Sequence, residues 1–572
     1  MRYLKPFKVT IATTVALVFI QSLTELYLPT LMSDIIDQGV VSKDIPYIWK
    51  VGGLMLLVTG AGTIASISAS YFAAKVSMQY GRDLRFRVFS RVEEYSLAEL
   101  NQVGTASLIT RTTNDVTQVQ TVLNVMLRMM AQAPLMAIGG IIMASSKDAN
   151  LSLVVIGAIP FLFLVIFIII KKGIPLFKTV QIKLDNVNRV LRENLTGVRV
   201  VRSFNRLDYE KERFNDANRE LTDTTIKVNK IMAFMMPSMM LVMNLTQIAI
   251  VWFGGLRINT GAMQVGDLMA FIQYAMQIMF SMVILSMMFV LIPRASASAA
   301  RINEVLEIQA GITGHKADVP AHANKKGYIE FDHVTFSYPG AERPALSNIT
   351  FRANPGEVTA IIGGTGSGKS TLIKLIPRFY DIDSGSLKVE GVEVKDIPLE
   401  ELRNKIGLVP QKAVLFTGTI ADNIRFGKED ATQDEIKHAA EVAQAADFIA
   451  SMKEGYDSPI SQGGTNVSGG QKQRLSIARA LVRRPDIYLF DDSFSALDVK
   501  TDAKLRAALR EETTEATVFI VAQRVSSIMD ADRIIVLDNG EMAGIGTHKE
   551  LLETCAVYKE IVSSQLSEEE IA

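Results

Sequence analysis

The chain has 572 residues, of which 48% are hydrophobic and 21% are charged. Its 60 Lys and Arg residues balance 60 Asp and Glu residues, so no nucleic-acid partner is expected, because such partners usually require a strongly basic surface. The length exceeds what one compact core accommodates, which predicts two or more domains. A single cysteine, Cys555, excludes an intrachain disulfide and a multi-cysteine metal site.

Six apolar stretches occur in the first 300 residues, each long enough to cross a hydrocarbon core of about 30 Å with roughly 20 residues. They centre on 9–32, 48–74, 121–145, 150–170, 231–256 and 266–292. Lys and Arg are concentrated in the connections 76–115 and 171–230, so these connections and both termini are expected in the cytoplasm. Residues 1–310 are therefore predicted to form an α-helical membrane domain whose helices extend beyond the bilayer.

The two cytoplasmic connections contain helix breakers where the chain turns. These are GTASL at 104–108 and RSFN at 202–205. They predict short docking elements near 104–113 and 200–212 that carry movement between domains. An ordinary solvated helical hairpin is the alternative.

Candidate substrate-cavity residues lie in the first, fifth and sixth spans. Glu25 sits in the middle of an apolar span, where a carboxylate is costly unless it faces protein or water. A shallow helix or pairing inside the bundle are the alternatives. The methionine-rich later spans suit varied apolar shapes, although packing is the simpler role for any one methionine. The candidates are Glu25, Met239, Met243, Met279 and Met282.

A polar stretch at 311–327 predicts a linker. From residue 328 to 572 short β-rich runs alternate with helical segments, which predicts an α/β domain. This second domain contains the strongest motif of the chain.

That motif, GGTGSGKS at 363–370, follows the strand VTAII and precedes the helix STLIKLI, as a phosphate-binding loop does. Its glycines let successive backbone N–H groups point into one concavity. Lys369 is expected to approach the β- and γ-phosphates, and the Ser370 hydroxyl to bind Mg²⁺. The residues expected to hold ATP here are Gly363, Gly364, Thr365, Gly366, Ser367, Gly368, Lys369, Ser370 and Thr371.

Two more features fit a nucleotide site. The apolar strand DIYLFDD ends in Asp491 and Asp492, where a carboxylate can reach the magnesium shell, and this role falls to Asp491. A plain strand end is the alternative. Earlier in the chain, Ser468 to Gln471 open a helix whose N-terminus can receive an anion.

With these motifs in this order, the whole chain closely resembles the ATP-binding cassette transporters. Their signature sequence is matched by Ser468, Gly469, Gly470 and Gln471. The resemblance implies a half-transporter of the exporter type, with six transmembrane helices and one cassette. Such chains act as dimers, in which each ATP lies between the phosphate loop of one chain and the signature of the other.

Further site residues are implied by the same resemblance. Tyr338 matches the aromatic residue that stacks on adenine, and Gln411 matches the glutamine that senses the γ-phosphate and joins the magnesium shell. The loop that crosses between the two ATP sites is matched by Ser495, Ala496, Leu497 and Asp498.

The sequence departs from the family pattern at the hydrolytic positions. Asp492 replaces the usual glutamate and Gln523 replaces the switch histidine. The aspartate carboxylate is withdrawn by about 1.5 Å, while a misplacement of about 1 Å can cost on the order of 100-fold in rate. Glutamine cannot exchange a proton as histidine does. Residues 462–464 also replace the common Glu-Arg-Gly, which leaves that coupling contact open.

Because the phosphate and magnesium ligands are intact, tight ATP binding with slow hydrolysis is expected. This asymmetry resembles the degenerate-site subunit of heterodimeric bacterial multidrug exporters, in which a second, different half-transporter supplies the missing residues. A homodimeric lipid or peptide exporter is one alternative, and an ATP-gated regulator or channel without substrate flux is another. Import is disfavoured because importers of this family usually carry the cassette on a separate chain.

The expected location is the lipid bilayer of the bacterial plasma membrane, with the cassette in the cytoplasm. The basic start MRYLKPFK has no small-residue cleavage site and predicts a retained lead-in. The apolar, methionine-rich spans favour small amphipathic substrates over ions and sugars.

Overall fold

The computed structural model describes residues 2–309, 311–312 and 326–566. The chain divides into two compact units. Unit 1 contains Met1–Glu93 and Ala106–Glu307, and unit 2 contains Glu94–Thr105 and Ile308–Ala572. Most of the predicted linker, 313–325, lies outside the described residues.

Long helices dominate the chain before residue 308. They are α1 (Tyr3–Val40), α2 (Ile45–Glu93), α4 (Thr105–Lys147), α5 (Ala149–Thr196), α7 (Leu207–Asn259) and α8 (Val265–Glu307), with the short helices α3 (Leu97–Val103) and α6 (Val198–Ser203) between them.

Among the described residues, six helices are long and apolar enough to span a membrane, which confirms the predicted number and order of spans. Helix α2 has 49 residues and is about 70 Å long at 1.5 Å per residue, so it extends well beyond a bilayer core of about 30 Å. The Asp148 side chain caps α5 by accepting a hydrogen bond from the Leu151 amide at 2.9 Å. Phe271, Tyr274 and Ile278 of α8 are fully buried at the centre of unit 1.

Unit 2 contains twelve strands within its described residues. They are β1 (Ile329–Phe336), β2 (Leu346–Ala353), β3 (Val358–Gly363), β4 (Ser384–Val389), β5 (Val392–Glu393), β6 (Ile406–Val409), β7 (Gly418–Thr419), β8 (Pro459–Ile460), β9 (Ile487–Asp491), β10 (Thr517–Val521), β11 (Arg533–Asp538) and β12 (Glu541–Gly546).

Helices connect and cover these strands. They are α9 (Lys369–Leu375), α10 (Leu399–Asn404), α11 (Ile420–Arg425), α12 (Gln433–Val442), α13 (Ala446–Ser451), α14 (Gly469–Leu481), α15 (Val499–Glu512), α16 (His548–Thr554) and α17 (Ala556–Ser563).

The main sheet has six strands in the order β12-β11-β3-β10-β9-β6. Only the β11–β12 pair is antiparallel in this sheet, while β6, β9, β10, β3 and β11 pair in parallel. Strand β9 is buried along its whole length, as expected for a parallel strand covered on both faces. The predicted class, an α-helical membrane domain followed by an α/β nucleotide-binding domain, is therefore confirmed.

The pairing of β3, β10 and β9 positions the candidate site. Val521 at the end of β10 lies opposite Ile361 of β3 and Asp491 of β9. Because parallel strands end at the same edge of a sheet, the loops that follow these three strands meet there.

Candidate nucleotide site

The predicted phosphate loop follows β3 and enters α9 with two glycines in the left-handed region. Gly366 has φ +83° and Gly368 has φ +98°. A Cβ atom at Gly368 would lie 2.8 Å from the carbonyl oxygen of Ala345, so both backbone conformation and space demand glycine there. A Cβ atom at Gly366 would have no neighbouring heavy atom within 4 Å in the described part of the chain, as a concavity for phosphate requires.

Lys369 lies over the loop that it follows in sequence. Its Nζ donates hydrogen bonds to the carbonyl oxygens of Gly363 at 2.9 Å and Gly364 at 2.6 Å. Burial lowers the pKa of Lys369, and the carboxylates of Asp492 and Asp491 oppose that shift. The ammonium group is thus held at the mouth of the loop, ready to exchange carbonyl partners for phosphate oxygens.

The loop also holds a buried hydroxyl that fits an anionic ligand. Ser367 is 4% exposed, and its Oγ has no hydrogen-bond partner among the described residues. A buried polar atom without a partner is costly, and a phosphate oxygen accepting from this hydroxyl would remove that cost. Together with the glycine cradle, this makes the loop suited to nucleotide phosphates.

Two of the predicted magnesium ligands are in contact. The Ser370 hydroxyl donates to Asp491 Oδ1 at 2.6 Å, and Asp491 is only 4% exposed. Mg²⁺ prefers a small set of oxygen ligands completed by water and phosphate oxygens. This hydroxyl and carboxylate fit such a shell beside the phosphate loop.

The structure also brings Asp492, Gln411 and Gln523 together. Gln411 Nε2 donates to Asp492 Oδ2 at 3.2 Å, and Gln523 Nε2 donates to the same oxygen at 2.8 Å. Asp492 has φ +47°, an uncommon value for a residue other than glycine. Its pKa is raised, chiefly by burial.

Tyr338 is half-buried near the phosphate loop. Its hydroxyl shares a hydrogen bond of 3.0 Å with Thr371 Oγ1 in helix α9. Its ring meets the Tyr380 ring edge-on, with the ring centroids 5.2 Å apart. This fixes the tyrosine beside the loop, while adenine stacking stays a prediction.

The signature residues begin α14, which the sequence predicts as a helix start. Ser468 Oγ accepts from the Gln471 amide at 3.3 Å, and Gln471 Oε1 accepts from the Ser468 amide at 2.8 Å. This capping box leaves the amides of Gly469 and Gly470 at the open helix end, where an anion is favoured.

The signature packs closely against the predicted inter-site loop. A Cβ atom at Gly470 would lie 3.2 Å from the Ala496 carbonyl oxygen. Leu497 is buried in the core, and Asp498 caps α15 by accepting from the Thr501 amide at 3.0 Å. Ser495 Oγ donates to the Asp492 carbonyl oxygen at 2.9 Å, which ties this loop to the catalytic position.

In unit 1 the polar candidate is paired inside the bundle. Glu25 accepts hydrogen bonds from Gln21 at 2.8 Å and from Gln132 at 3.1 Å. Gln277 Nε2 also donates to the Glu25 carbonyl oxygen at 3.4 Å. Of the alternatives that the sequence leaves open, these contacts match the acid paired between helices.

The four candidate methionines occupy one cluster. Met239 and Met279 are each 2% exposed, and Met243 and Met282 are partly buried against them. This arrangement agrees with packing for the two buried side chains, while substrate contact stays a prediction.

A short helix of unit 2 lies slightly earlier in the chain than the docking element that the sequence predicts near 104–113. Helix α3 belongs to unit 2, where Leu97 and Ala98 pack against the core and Asn101 Nδ2 donates to Tyr380 Oη at 3.5 Å. The predicted segment 104–113 instead consists of Gly104 and the first residues of α4, and from residue 106 it belongs to unit 1.

A sequence signal for α3 exists. Ser96 and Glu99 form a capping box, in which the Ser96 amide donates to Glu99 Oε2 at 2.7 Å. A serine followed three residues later by glutamate marks a helix start, and the Gly104 breaker marks its end. The second predicted segment, 200–212, covers the end of α6 and the start of α7, and Phe204 between these helices is 74% exposed.

Six helices that are long and apolar enough to span a membrane, together with a unit that carries a phosphate-loop motif, candidate magnesium ligands and a signature motif, define the class of ATP-driven membrane transporters. Comparisons with known proteins agree. Residues 11–282 match the ABC transporter transmembrane region, and residues 346–495 match the ABC transporter family.

Similar chains extend this match to the whole length. An uncharacterized ABC transporter ATP-binding protein of Mycobacterium tuberculosis is 41% identical over 567 residues, which cover 99% of this chain and 97% of that protein. An ATP-dependent lipid A-core flippase of Desulfotalea psychrophila is 32% identical over 545 residues, 94% of this chain and 93% of that protein. A bacterial Atm1-family ABC exporter solved with ATP bound superimposes with a TM-score of 0.80 at 26% identity, covering 98% and 100% of the two chains.

The chain therefore belongs to the ABC transporters, as a half-transporter of the exporter type. It is a multi-pass membrane protein whose cassette binds ATP and couples the ATPase reaction to transport.

Proposed function

We propose that the chain exports amphipathic or hydrophobic compounds across the bacterial plasma membrane as one subunit of an asymmetric heterodimer. In this proposal its own phosphate loop forms an ATP site that binds tightly and hydrolyses slowly. Its signature completes the second site, whose phosphate loop belongs to a different half-transporter that contributes its own glutamate and histidine.

The carrying observation is the state of the Asp492 carboxylate. One of its oxygens, Oδ2, already accepts hydrogen bonds from two side-chain amides, those of Gln411 and Gln523. The two amides hold this oxygen in place, but neither amide can pass on a proton. The raised pKa of Asp492 increases its basicity, but the shorter side chain opposes its use as a base.

The binding half of the site has no such defect. Lys369 exchanges the carbonyls of Gly363 and Gly364 for phosphate oxygens, and the loop amides add donors. Ser370 and Asp491 would hold Mg²⁺, which neutralises phosphate charge when bound. ATP binding is thus separated from hydrolysis in this chain, which suits a site that closes the dimer and opens rarely.

An apolar cavity supports the substrate class. It has a volume of about 350 Å³ and lies between α5, α7 and α8 in unit 1. Its lining includes Ile166, Phe177, Met232, Met235, Met287 and Leu291. Such a lining favours alkyl or aromatic groups over ions and sugars.

A homodimeric lipid exporter is the second candidate. It is favoured by the similarity to the lipid A-core flippase at 32% identity, and it requires Asp492 and Gln523 to support turnover by themselves. A gated regulator without flux has no comparable support.

The test is to tag this chain, purify it gently from its native membrane and identify stoichiometric companions by mass spectrometry. A second half-transporter that carries the glutamate and histidine supports the heterodimer. Recovery of this chain alone, as a dimer that hydrolyses ATP and moves lipid in vesicles, overturns the heterodimer in favour of the second candidate. In either assembly, ATP-dependent movement of an amphipathic dye across proteoliposomes tests export itself.

A further inference from the structure

Residues 522–525, here named the switch loop, follow β10 and contact both Asp492 and Ser495. The Ala522 amide donates to the Ile361 carbonyl oxygen at 3.1 Å, which anchors the start of the loop to β3. Gln523 Nε2 contacts Asp492, and Arg524 donates to the Ser495 carbonyl oxygen at 3.4 Å. The backbone position of this short loop therefore decides where the Gln523 amide lies.

The other side of the switch loop is held by a residue near the C-terminus. Gln565 Nε2 donates to the Gln523 carbonyl oxygen at 2.9 Å, and Gln565 Oε1 accepts from the Val525 amide at 2.8 Å. Arg524 between them is extended, with φ −101° and ψ 128°. In extended chain the carbonyl before a residue and the amide after it point to the same side, so one carboxamide satisfies both, as a neighbouring strand would.

The carboxamide is presented from a fixed base. Gln565 is the second residue after the end of α17, and its amide donates to the Val562 carbonyl oxygen at 3.0 Å. Val562 is fully buried, and Leu566 packs against the same core. The backbone of Gln565 is therefore ordered on both sides while its side chain reaches across the surface, which lowers the entropic cost of holding the loop.

We propose that Gln565 is a positioning residue for ATP hydrolysis, which acts by fixing the switch loop so that Gln523 stays on Asp492. The C-terminal helix α17 thereby becomes part of the hydrolytic apparatus. This inference rests on the proposed function only in requiring that ATP turns over at this chain's cassette.

The expected effect follows from the loop geometry. Displacement of a catalytic group by about 1 Å can cost on the order of 100-fold, and the anchor of Ala522 on β3 limits the displacement here. Gln565→Ala should therefore lower kcat about 5- to 10-fold. The KM for ATP should stay unchanged, because the described contacts of Gln565 are to the switch loop and to Val562.

The experiment uses the full-length assembly as purified from membranes. Gln565→Ala removes both hydrogen bonds, and Gln565→Glu keeps the acceptor for Val525 but places a charge beside the Gln523 carbonyl. Ser563→Ala is the matched control, because Ser563 is an exposed neighbour whose hydroxyl donates to its own helix at Glu560. ATP hydrolysis and hydrogen–deuterium exchange of the Val525 amide are measured for each variant.

Faster exchange at Val525 by about 10-fold and lower kcat in both Gln565 variants, with Ser563→Ala unchanged, is the expected result. A second comparison repeats Gln565→Ala in a Gln523→Ala background, where its effect on kcat should shrink to less than 2-fold because the two residues act in series. Unchanged exchange at Val525 overturns the contact. Faster exchange with an unchanged kcat, or an equal loss in the Gln523→Ala background, overturns the positioning role.

Failure of the proposed function would look different. A parent protein that hydrolyses ATP without moving substrate contradicts export, and the Gln565 comparison remains decisive on its own terms. If labelled ATP is not hydrolysed at this chain's cassette in the parent assembly, the inference about Gln565 is wrong.

Discussion

Restoring the usual carboxylate at position 492 is the most direct perturbation of this site. Asp492→Glu lengthens the side chain by one methylene, about 1.5 Å, and moves the carboxylate beyond the point where the Gln411 and Gln523 amides now meet. Correct placement of a general base contributes about 10²- to 10⁴-fold. Because Gln523 remains unable to exchange a proton, we expect the lower end, an increase in ATP turnover of about 100-fold.

The assay measures phosphate release by the purified assembly at saturating ATP. If a second half-transporter is present, its own glutamate is changed to glutamine so that the remaining turnover reports this chain's site. Asp492→Asn is the matched control, which keeps the side-chain length and should leave at most the residual rate. Gln523→His is then added to Asp492→Glu.

The two restorations should be coupled, because Gln523 contacts the carboxylate that is being moved. Residues that share a contact show interaction energies of about 0.5 to 3 kcal/mol in a double-mutant cycle, or about 2- to 150-fold in rate. From slowest to fastest turnover, the expected order is Asp492→Asn, wild type, Asp492→Glu and then the double variant. An Asp492→Glu rate equal to that of the wild type would refute the view that carboxylate placement limits hydrolysis.

Three further outcomes are expected. Lys369→Ala should weaken ATP binding by at least about 10-fold in a fluorescent-nucleotide titration, because a charge-assisted contact is worth about 1.5 to 3 kcal/mol. Lys374→Ala on the same helix is the control and should leave ATP binding unchanged. Equal affinities of the two variants for ATP would contradict the assigned loop. Leu97→Asp should place a charge against the unit 2 core and lower transport at least about 10-fold, with ATP binding retained. Gln102→Asp, at an exposed position of α3, is the control and should transport normally. Burial raises the pKa of Asp492, so its carboxylate becomes protonated at a higher pH than an exposed aspartate does. As pH falls, the rate of ATP hydrolysis should therefore begin to drop at a higher pH than an exposed aspartate would cause. The same drop at low pH in Asp492→Asn would contradict this assignment.

The membrane spans could be predicted because their signal is local. Burial in lipid requires about 20 apolar residues in a row, and each of the six spans satisfies this by itself. The sequence predicts a docking element near 104–113 but not the packing of α3 in unit 2, because the contact of Asn101 with Tyr380 joins positions 279 residues apart. The capping box of Ser96 and Glu99 was the local signal that pointed to α3.

The sequence by itself determined the phosphate loop, the order of the cassette motifs and the two unusual residues at the hydrolytic positions. These are short motifs in which glycine conformations and side-chain chemistry depend on neighbours in the chain. The tertiary structure decided what those residues do to one another. Parallel pairing of β6, β9 and β10 brings the amides of Gln411 and Gln523 onto one oxygen of Asp492, and the packing of α17 brings Gln565 to the switch loop. Such contacts link residues 31 to 81 positions apart, so no local pattern specifies them and only the tertiary packing does.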